Sequence, residues 1–140
     1  MTGKRILVAE DNAVNAELIR EFLEMRGYQT IEAANGQEAL EKISVCDPDV
    51  VLMDVQMPML DGFEVIRRIR GHERHQHLHV IALTAFAMRG DREKALAAGF
   101  DAYVTKPIDF EILLCAIGEG KKGRARKPKP RSLGASSLIA

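Results

Sequence analysis

The sequence predicts an α/β fold in which five strands and five helices form an open, doubly wound parallel sheet covered on both faces. Three observations predict it. Short β-branched runs alternate with amphipathic helical patterns over the first 120 residues. The runs at 4–9 and 49–53 are almost continuously apolar, as in strands buried on both faces. Capping and stop residues punctuate the alternation at the spacing that helices require.

Taken in order, Lys4–Ala9 (KRILVA) is the first expected strand. Val14–Arg26 follows as a helix, with Val14, Leu18, Ile19, Phe22, Leu23 and Met25 mostly three and four residues apart, and Gly27 suited to stop it. Tyr28–Ala33 is the second strand. Asn35-Gly36-Gln37-Glu38 has the form of a capping box opening a helix through about Val45. Asp47-Pro48 breaks that helix before the third strand, Asp49–Met53. Asp61-Gly62-Phe63-Glu64 repeats the capping arrangement for a helix through Arg70. His79–Leu83 is the fourth strand, Asp91–Ala98 a short helix ended by Gly99, Ala102–Val104 the fifth strand and Asp109–Gly118 the last helix. Right-handed crossovers leave few topologies for such a chain, and the flavodoxin-like strand order 2-1-3-4-5 is a natural one. No internal repeat is visible.

A length of 140 residues suits one core. With 46% apolar and 29% charged residues the composition is that of a soluble globular protein. No apolar run approaches the ~20 residues that span a bilayer, and the N-terminal apolar segment is too short for a signal peptide. A cytoplasmic location is expected, with Cys46 and Cys115 as buried, reduced thiols. The net charge of zero conceals an asymmetry. Residues 1–120 hold 13 Lys/Arg against 20 Asp/Glu, a net of −7, whereas 121–140 hold seven basic residues and no acids. The expected organisation is one domain over 1–120 and a basic, flexible tail over 121–140.

In an open parallel sheet, ligands bind outside the carboxyl ends of the strands. The expected strands end in Glu10 and Asp11, in Asp54, in Thr84 and in Thr105-Lys106-Pro107. Three acids, a hydroxyl and a lysine, distant in sequence, thus converge on one rim. Clustered carboxylates need a cation or they lose their charges. All-oxygen ligation by few protein groups suits Mg2+, which bridges to phosphoryl oxygens, and a lysine and a threonine hydroxyl can hold the other phosphoryl oxygens. The pattern points to phosphoryl transfer with Asp54, in the middle strand, as nucleophile and aspartyl phosphate former. Each residue also has an ordinary alternative: Asp11 as a helix cap, Lys106 as a solvated surface residue, Thr84 as a strand-end hydroxyl. Their convergence is what argues for function.

These residues resemble the receiver domain of response regulators. The resemblance rests on Glu10-Asp11-Asn12, Asp54-Val55-Gln56-Met57-Pro58, Asp61-Gly62, Thr84-Ala85 and Lys106-Pro107, and runs from about Lys4 to Gly118. The stretches LTAFAMRGD at 83–91 and AGFDAYVTKPI at 98–108 resemble receivers of hybrid histidine kinases and of stand-alone division-control regulators. The resemblance implies a two-component phosphorelay switch that takes phosphate from a histidine kinase or histidine phosphotransfer protein. It implies Asp54 as phosphoacceptor, direct Mg2+ ligation by Asp11 and Asp54, ligation by Glu10 through water, and a further ligand in the backbone carbonyl of Gln56. Mn2+ is expected to substitute. Thr84 and Lys106 would read the phosphoryl group. Tyr103 matches the aromatic switch position, expected to turn inward as Thr84 moves, with packing against the last helix as its alternative. The Lys106–Pro107 peptide is expected to be cis. Glu10 stands where many members carry aspartate, which bears on the detail of metal ligation.

Two other classes were weighed. An aspartyl-nucleophile phosphatase needs a general acid and base, commonly a second Asp two residues beyond the nucleophile, and position 56 is Gln. The expectation is therefore a switch with slow autodephosphorylation, not a multiple-turnover enzyme. A nucleic-acid binder could use the tail's seven cations, but no DNA-binding module follows the last helix, so neither nucleic acid nor membrane is an expected partner. A downstream protein target is, with the chain a monomer or a weak phosphorylation-dependent dimer. His72, His75, His77 and His79 are read as a solvated loop in preference to a metal site. Either Phe86, Ala87 and Met88 form an exposed apolar patch for partners, or Phe86 tucks into the core.

Overall fold

The structure is a computed structural model and describes residues 4–57, 60–85 and 90–118. Its elements run β1 (Arg5–Ala9), α1 (Ala13–Met25), β2 (Gln29–Ala33), α2 (Gly36–Cys46), β3 (Val50–Asp54), α3 (Gly62–Gly71), a 3-10 turn (Glu73–His75), β4 (His79–Thr84), α4 (Asp91–Ala98), β5 (Ala102–Thr105) and α5 (Phe110–Ile117). The strands form one parallel sheet in the order β2-β1-β3-β4-β5. Fold class and strand order are those expected, and element ends move by one residue at most places, as ladder and helix ends commonly do.

The period of two along each strand divides the core. Leu7, Ala9, Val51, Met53, Val80 and Ala82 face one way, against Ala39 and Ile43 of α2, Val65, Ile66 and Ile69 of α3, and Ala95 of α4. Ile6, Val8, Val50, Leu52, Ile81, Leu83 and Val104 face the other way, against Ile19 and Leu23 of α1 and Leu113, Leu114 and Ile117 of α5. Every residue of β3 is buried, as its unbroken apolar run requires of a central strand.

The caps follow from local side chains. Asn12, Asn35, Asp61 and Asp109 each accept a backbone N–H of the following first turn. At α2 the box closes one residue early: Glu38 Oε1 accepts the amide of Ala34, at 2.7 Å, in place of that of Asn35. At α3 the reciprocal half is missing, because the Glu64 carboxylate turns to Arg67 and Arg68 on its own helix. The helix α4 is the most lightly held, with Ala95 alone buried and a left-handed Gly90 at its start that offers no side-chain cap.

Two expectations, and the alternative given for Tyr103, need correction. The cysteines are free, but Cys115 is exposed and Cys46 only half-buried. Cys115 lies on the face of α5 opposite Leu113, Leu114 and Ile117, which take the core side. The histidine-rich segment is not simply a solvated loop. His75 sits in the 3-10 turn and is only 7% exposed, with Nε2 3.8 Å from Asp47 Oδ1 at the left-handed end of α2. The ring of His79 contacts the Ala116 carbonyl at 2.7 Å, tying β4 to α5. Finally, Tyr103 packs on the α2–α4 side of the sheet with the cluster that holds Ala95 and Phe100, not against α5. Phe86, Ala87, Met88 and the tail 121–140 lie outside the described residues.

Candidate functional site

The strand register aligns the rim. Ala9 pairs with Met53, so Glu10 follows β1 where Asp54 ends β3. Asp54 pairs with Leu83, one residue before Thr84, and Thr84 pairs with Thr105, one residue before Lys106. Backbone hydrogen bonds carry the order past the strand ends, with the Lys106 amide donating to the Thr84 carbonyl at 2.8 Å and the Val55 amide to the Leu83 carbonyl at 3.0 Å. The Lys106–Pro107 peptide is cis, as expected.

Four polar residues collect there. Glu10, Asp54 and Thr84 are buried, at 3%, 4% and 3% exposure. Lys106 lies across the two acids, with Nζ 2.8 Å from Asp54 Oδ2 and 2.7 Å from Glu10 Oε1. Its alternative as a solvated surface lysine is set aside by that position. Asp54 Oδ1 accepts the Gln56 amide at 2.8 Å, so both oxygens of the carboxylate are engaged. Glu10 Oε2 accepts the Asn12 amide at 3.2 Å. Asp11 is exposed at the mouth, and the alternative that it caps α1 is excluded, since Asn12 fills that place by accepting the Asn15 amide.

The electrostatics are those of a crowded acid cluster. Burial raises the Glu10 carboxyl above its ordinary value and the Asp54 charge adds to this, while Lys106 and the Asn12 amide work against it. For Lys106, burial acts to lower the ammonium, but hydrogen bonds and charge from Asp54 and Glu10 outweigh it and hold the group above the ordinary lysine value. One carboxylate oxygen each from Glu10, Asp11 and Asp54 lie within 4.8 Å of one another. Such an all-oxygen, strongly anionic donor set fits a hard divalent cation such as Mg2+. Among the described residues no other His/Cys/Asp/Glu group gathers this closely.

Tyr103 stands beside this rim on β5. Its hydroxyl is buried and has no hydrogen-bond partner among the described residues. Burial first, then the charges of Asp91 and Glu93, raise its phenol above the ordinary value.

The strand-end reading brought Glu10, Asp11, Asp54, Thr84 and Lys106 to one rim, and the structure does the same; Gln56, placed beside them by the resemblance alone, bonds Asp54 through its amide. Sequence reasoning missed the Lys106–Glu10 ion pair, and it missed two glycines. A Cβ at Gly62 would lie 2.6 Å from Val55 Cα, and one at Gly36 would lie 2.2 Å from the Leu60 carbonyl oxygen. Both glycines follow a capping residue in sequence, and that role hid their close backbone contacts.

A doubly wound sheet with an acid cluster and a lysine at its strand ends defines a class of phosphoryl-handling α/β domain. Comparison with known proteins identifies the family. A family model described as the response regulator receiver domain matches residues 6–118. The chain belongs to this family, as a receiver domain of a response regulator in phosphorelay signalling. It is 43% identical over 105 residues to the polar-differentiation response regulator DivK of Brucella anthropi, covering 75% of this chain and 85% of that protein. A solved structure of the receiver domain of the sensor histidine kinase PA1611 from Pseudomonas aeruginosa, with magnesium coordinated in its active-site cleft, superposes with a TM-score of 0.74. It is 39% identical, over 84% of this chain and 99% of that one. A chain of the Saccharomyces cerevisiae complex between the histidine phosphotransfer protein Ypd1 and the receiver domain of Ssk1 matches with a TM-score of 0.73 and 30% identity, over 81% and 86% of the two chains. Receiver domains act as phosphoacceptor switches, bind Mg2+ at an acidic site and interact with histidine phosphotransfer proteins. No helix among the described residues is long and apolar enough to cross a membrane.

Proposed function

We propose that this chain accepts a phosphoryl group on Asp54 from a phosphohistidine, in a Mg2+-dependent reaction, and stores it as a signal. The observation that carries the reading is the position of Lys106 across Asp54 and Glu10, with Asp11 completing an all-oxygen cluster. In this reading Asp11 and Asp54 would hold Mg2+ directly, Glu10 would hold it through water, and the Gln56 carbonyl would complete the protein ligands. The ion would supply positive charge that offsets repulsion between the carboxylates and the incoming phosphoryl oxygens, and Mn2+ would be able to replace it.

A carboxylate oxygen of Asp54 attacks phosphorus in line, forming the O–P bond as the N–P bond of the donor breaks. The bonding pair leaves with the imidazole nitrogen of the donor. Lys106, already at the nucleophile, needs only to pass from carboxylate to phosphoryl oxygen to stabilise the product. Thr84, buried at the end of β4, takes another phosphoryl oxygen. Its movement biases a two-state equilibrium that Tyr103 reports. The unpartnered hydroxyl of Tyr103 supports a readout role, because a buried polar atom left unsatisfied favours a state in which it finds a partner.

Gln56 offers no proton to a leaving group, so the aspartyl phosphate is lost by slow self-hydrolysis and the protein is a switch, not a turnover enzyme. Its partners are a histidine kinase or phosphotransfer protein upstream and a protein target downstream, reached as a monomer or as a weak dimer formed on phosphorylation. Two free cysteines accord with a cytoplasmic setting. The receiver segment of a hybrid kinase would use the same chemistry, a reading favoured by the likeness to the PA1611 receiver. The test is phosphotransfer from a purified phosphohistidine donor with and without EDTA. Acid-stable, base-labile label is no part of the expectation; the label should be labile in both and should need the metal. Transfer unaffected by EDTA would overturn the reading.

A further inference from the structure

Val55 and Leu60, at the two ends of the connection from Asp54 to α3, are each met by a close backbone approach. The first lies at Val55. The Val55 amide donates to Leu83 and its carbonyl accepts the Gly62 amide at 3.1 Å, and the two residues are close enough that a Cβ on Gly62 would meet Val55 Cα at 2.6 Å. The second comes from a different element. Gly36, the first residue of α2, is buried, and a Cβ built on it would lie 2.2 Å from the Leu60 carbonyl oxygen, 2.9 Å from Leu60 Cβ and 2.8 Å from Val65 Cγ2.

Gly36 cannot easily withdraw. Asn35 Oδ1 accepts the Glu38 amide at 2.8 Å, Glu38 Oε1 accepts the Ala34 amide at 2.7 Å, and the Ala39 amide donates to the Asn35 carbonyl at 3.0 Å. The start of α2 is therefore fixed on both sides of the glycine. A side chain there would displace Leu60. Gly62, two residues on, would be carried with it, and Gly62 packs on Val55, the neighbour of Gln56, whose amide is bonded to Asp54 Oδ1 at 2.8 Å. The φ of Gly36 is not in the left-handed region, so space and not backbone conformation explains the glycine.

We propose that Gly36 is a positioning residue for the chemistry at Asp54, its missing side chain letting the Leu60 carbonyl seat against α2 and so setting where Gly62, two residues on, packs on Val55 between Asp54 and Gln56. The proposal rests on the reading of Asp54 and Gln56 given above, and it places the control in a helix that contributes no ligand.

The experiment compares Gly36→Ala with Gly71→Ala, which adds the same methyl to an open position at the end of α3 with no atom within 4 Å. Amide shifts of Val55, Gln56 and Leu60 are recorded without metal, Mg2+ is then titrated, and the phosphorylation rate is read at saturating Mg2+. Gly36→Ala is expected to move these shifts and to weaken Mg2+ binding about tenfold while remaining folded, as removing support from metal ligands generally does. Gly71→Ala should match the wild type in all three. If Gly36→Ala does not fold, Gly36→Ala/Val65→Ala relieves the side-chain part of the clash and leaves the Leu60 carbonyl part. It should recover the fold but not the Mg2+ affinity. Wild-type affinity in either folded variant, or failure of both to fold, overturns the positioning role. A wild type that binds no Mg2+ would instead sink the reading of the site, and the metal-free amide shifts would still judge Gly36.

Discussion

Lys106 Nζ lies between two buried carboxylates, 2.8 Å from Asp54 and 2.7 Å from Glu10, and so serves both as their counter-ion. Removing it leaves two acids facing each other in a poorly solvated rim. Lys106→Met is expected to lose about 2 kcal/mol in urea unfolding near neutral pH. The loss should shrink on acidification, because the Glu10 carboxyl is already raised and rises further without its partner. The folded variant then binds more protons than the unfolded chain as the pH falls. A variant as stable as the wild type at neutral pH would contradict the counter-ion role.

The same repulsion makes Mg2+ a stabiliser. A cation at ~100 times its dissociation constant adds about 2.7 kcal/mol to a fold that alone binds it. Asp11 is exposed, so Asp11→Asn should leave the metal-free stability nearly unchanged. It should nevertheless abolish most of the Mg2+-induced rise in melting temperature. An undiminished rise in that variant would remove Asp11 from the ligand set.

A second ionisable site lies at the opposite end of the sheet. Burial first, then the charges of His72 and Arg74, hold the His75 imidazole below its ordinary value, and Asp47 works against them. The folded group is thus neutral where the unfolded one, near 6.5, begins to take a proton. The unfolded chain binds more protons as the pH falls through that value, so stability is present above it and lost below. His75→Gln should flatten this dependence when urea midpoints are compared at neutral and mildly acidic pH. Equal slopes for variant and wild type would show that His75 titrates as in the unfolded chain.

Arg70 gathers the lower end of α3, β4 and α4. It donates to the carbonyls of Gly99 at 2.9 Å, Leu78 at 2.6 Å and Gln76 at 3.2 Å, and to Asp101 Oδ2 at 2.8 Å. Arg70→Ala is expected to cost about 3 kcal/mol by chemical denaturation. Arg70→Lys should recover less than half of this, since a single ammonium cannot span the fork. Full rescue by lysine would reduce the cluster to a simple charge effect.

Much of this was legible in the sequence, for local reasons. Apolar periodicity set the order of elements, and Asn35, Asp61 and Asp109 marked helix starts because a cap depends on its own side chain. The rim residues were legible because each ends a strand and strand ends share an edge. What escaped depends on neighbours distant in the chain. The burial of His75 follows from the turn at Asp47, the exposure of Cys115 from which face of α5 meets the sheet, and the packing of Tyr103 from the side of β5 on which it falls. The Lys106–Glu10 pair needs two long side chains to meet across two intervening strands, β3 and β4. Gly36 carries two meanings in sequence, a helix start and a close approach, and only Leu60 decides between them.

The central claim is that Asp54 takes the phosphoryl group. The most direct test is the stoichiometry of phosphotransfer from a phosphohistidine donor, in the presence of Mg2+, to the wild type and to Asp54→Asn. The account predicts incorporation approaching one phosphoryl group per chain for the wild type and none for the variant, whose fold the isosteric amide preserves. Stoichiometric labelling of Asp54→Asn would contradict it.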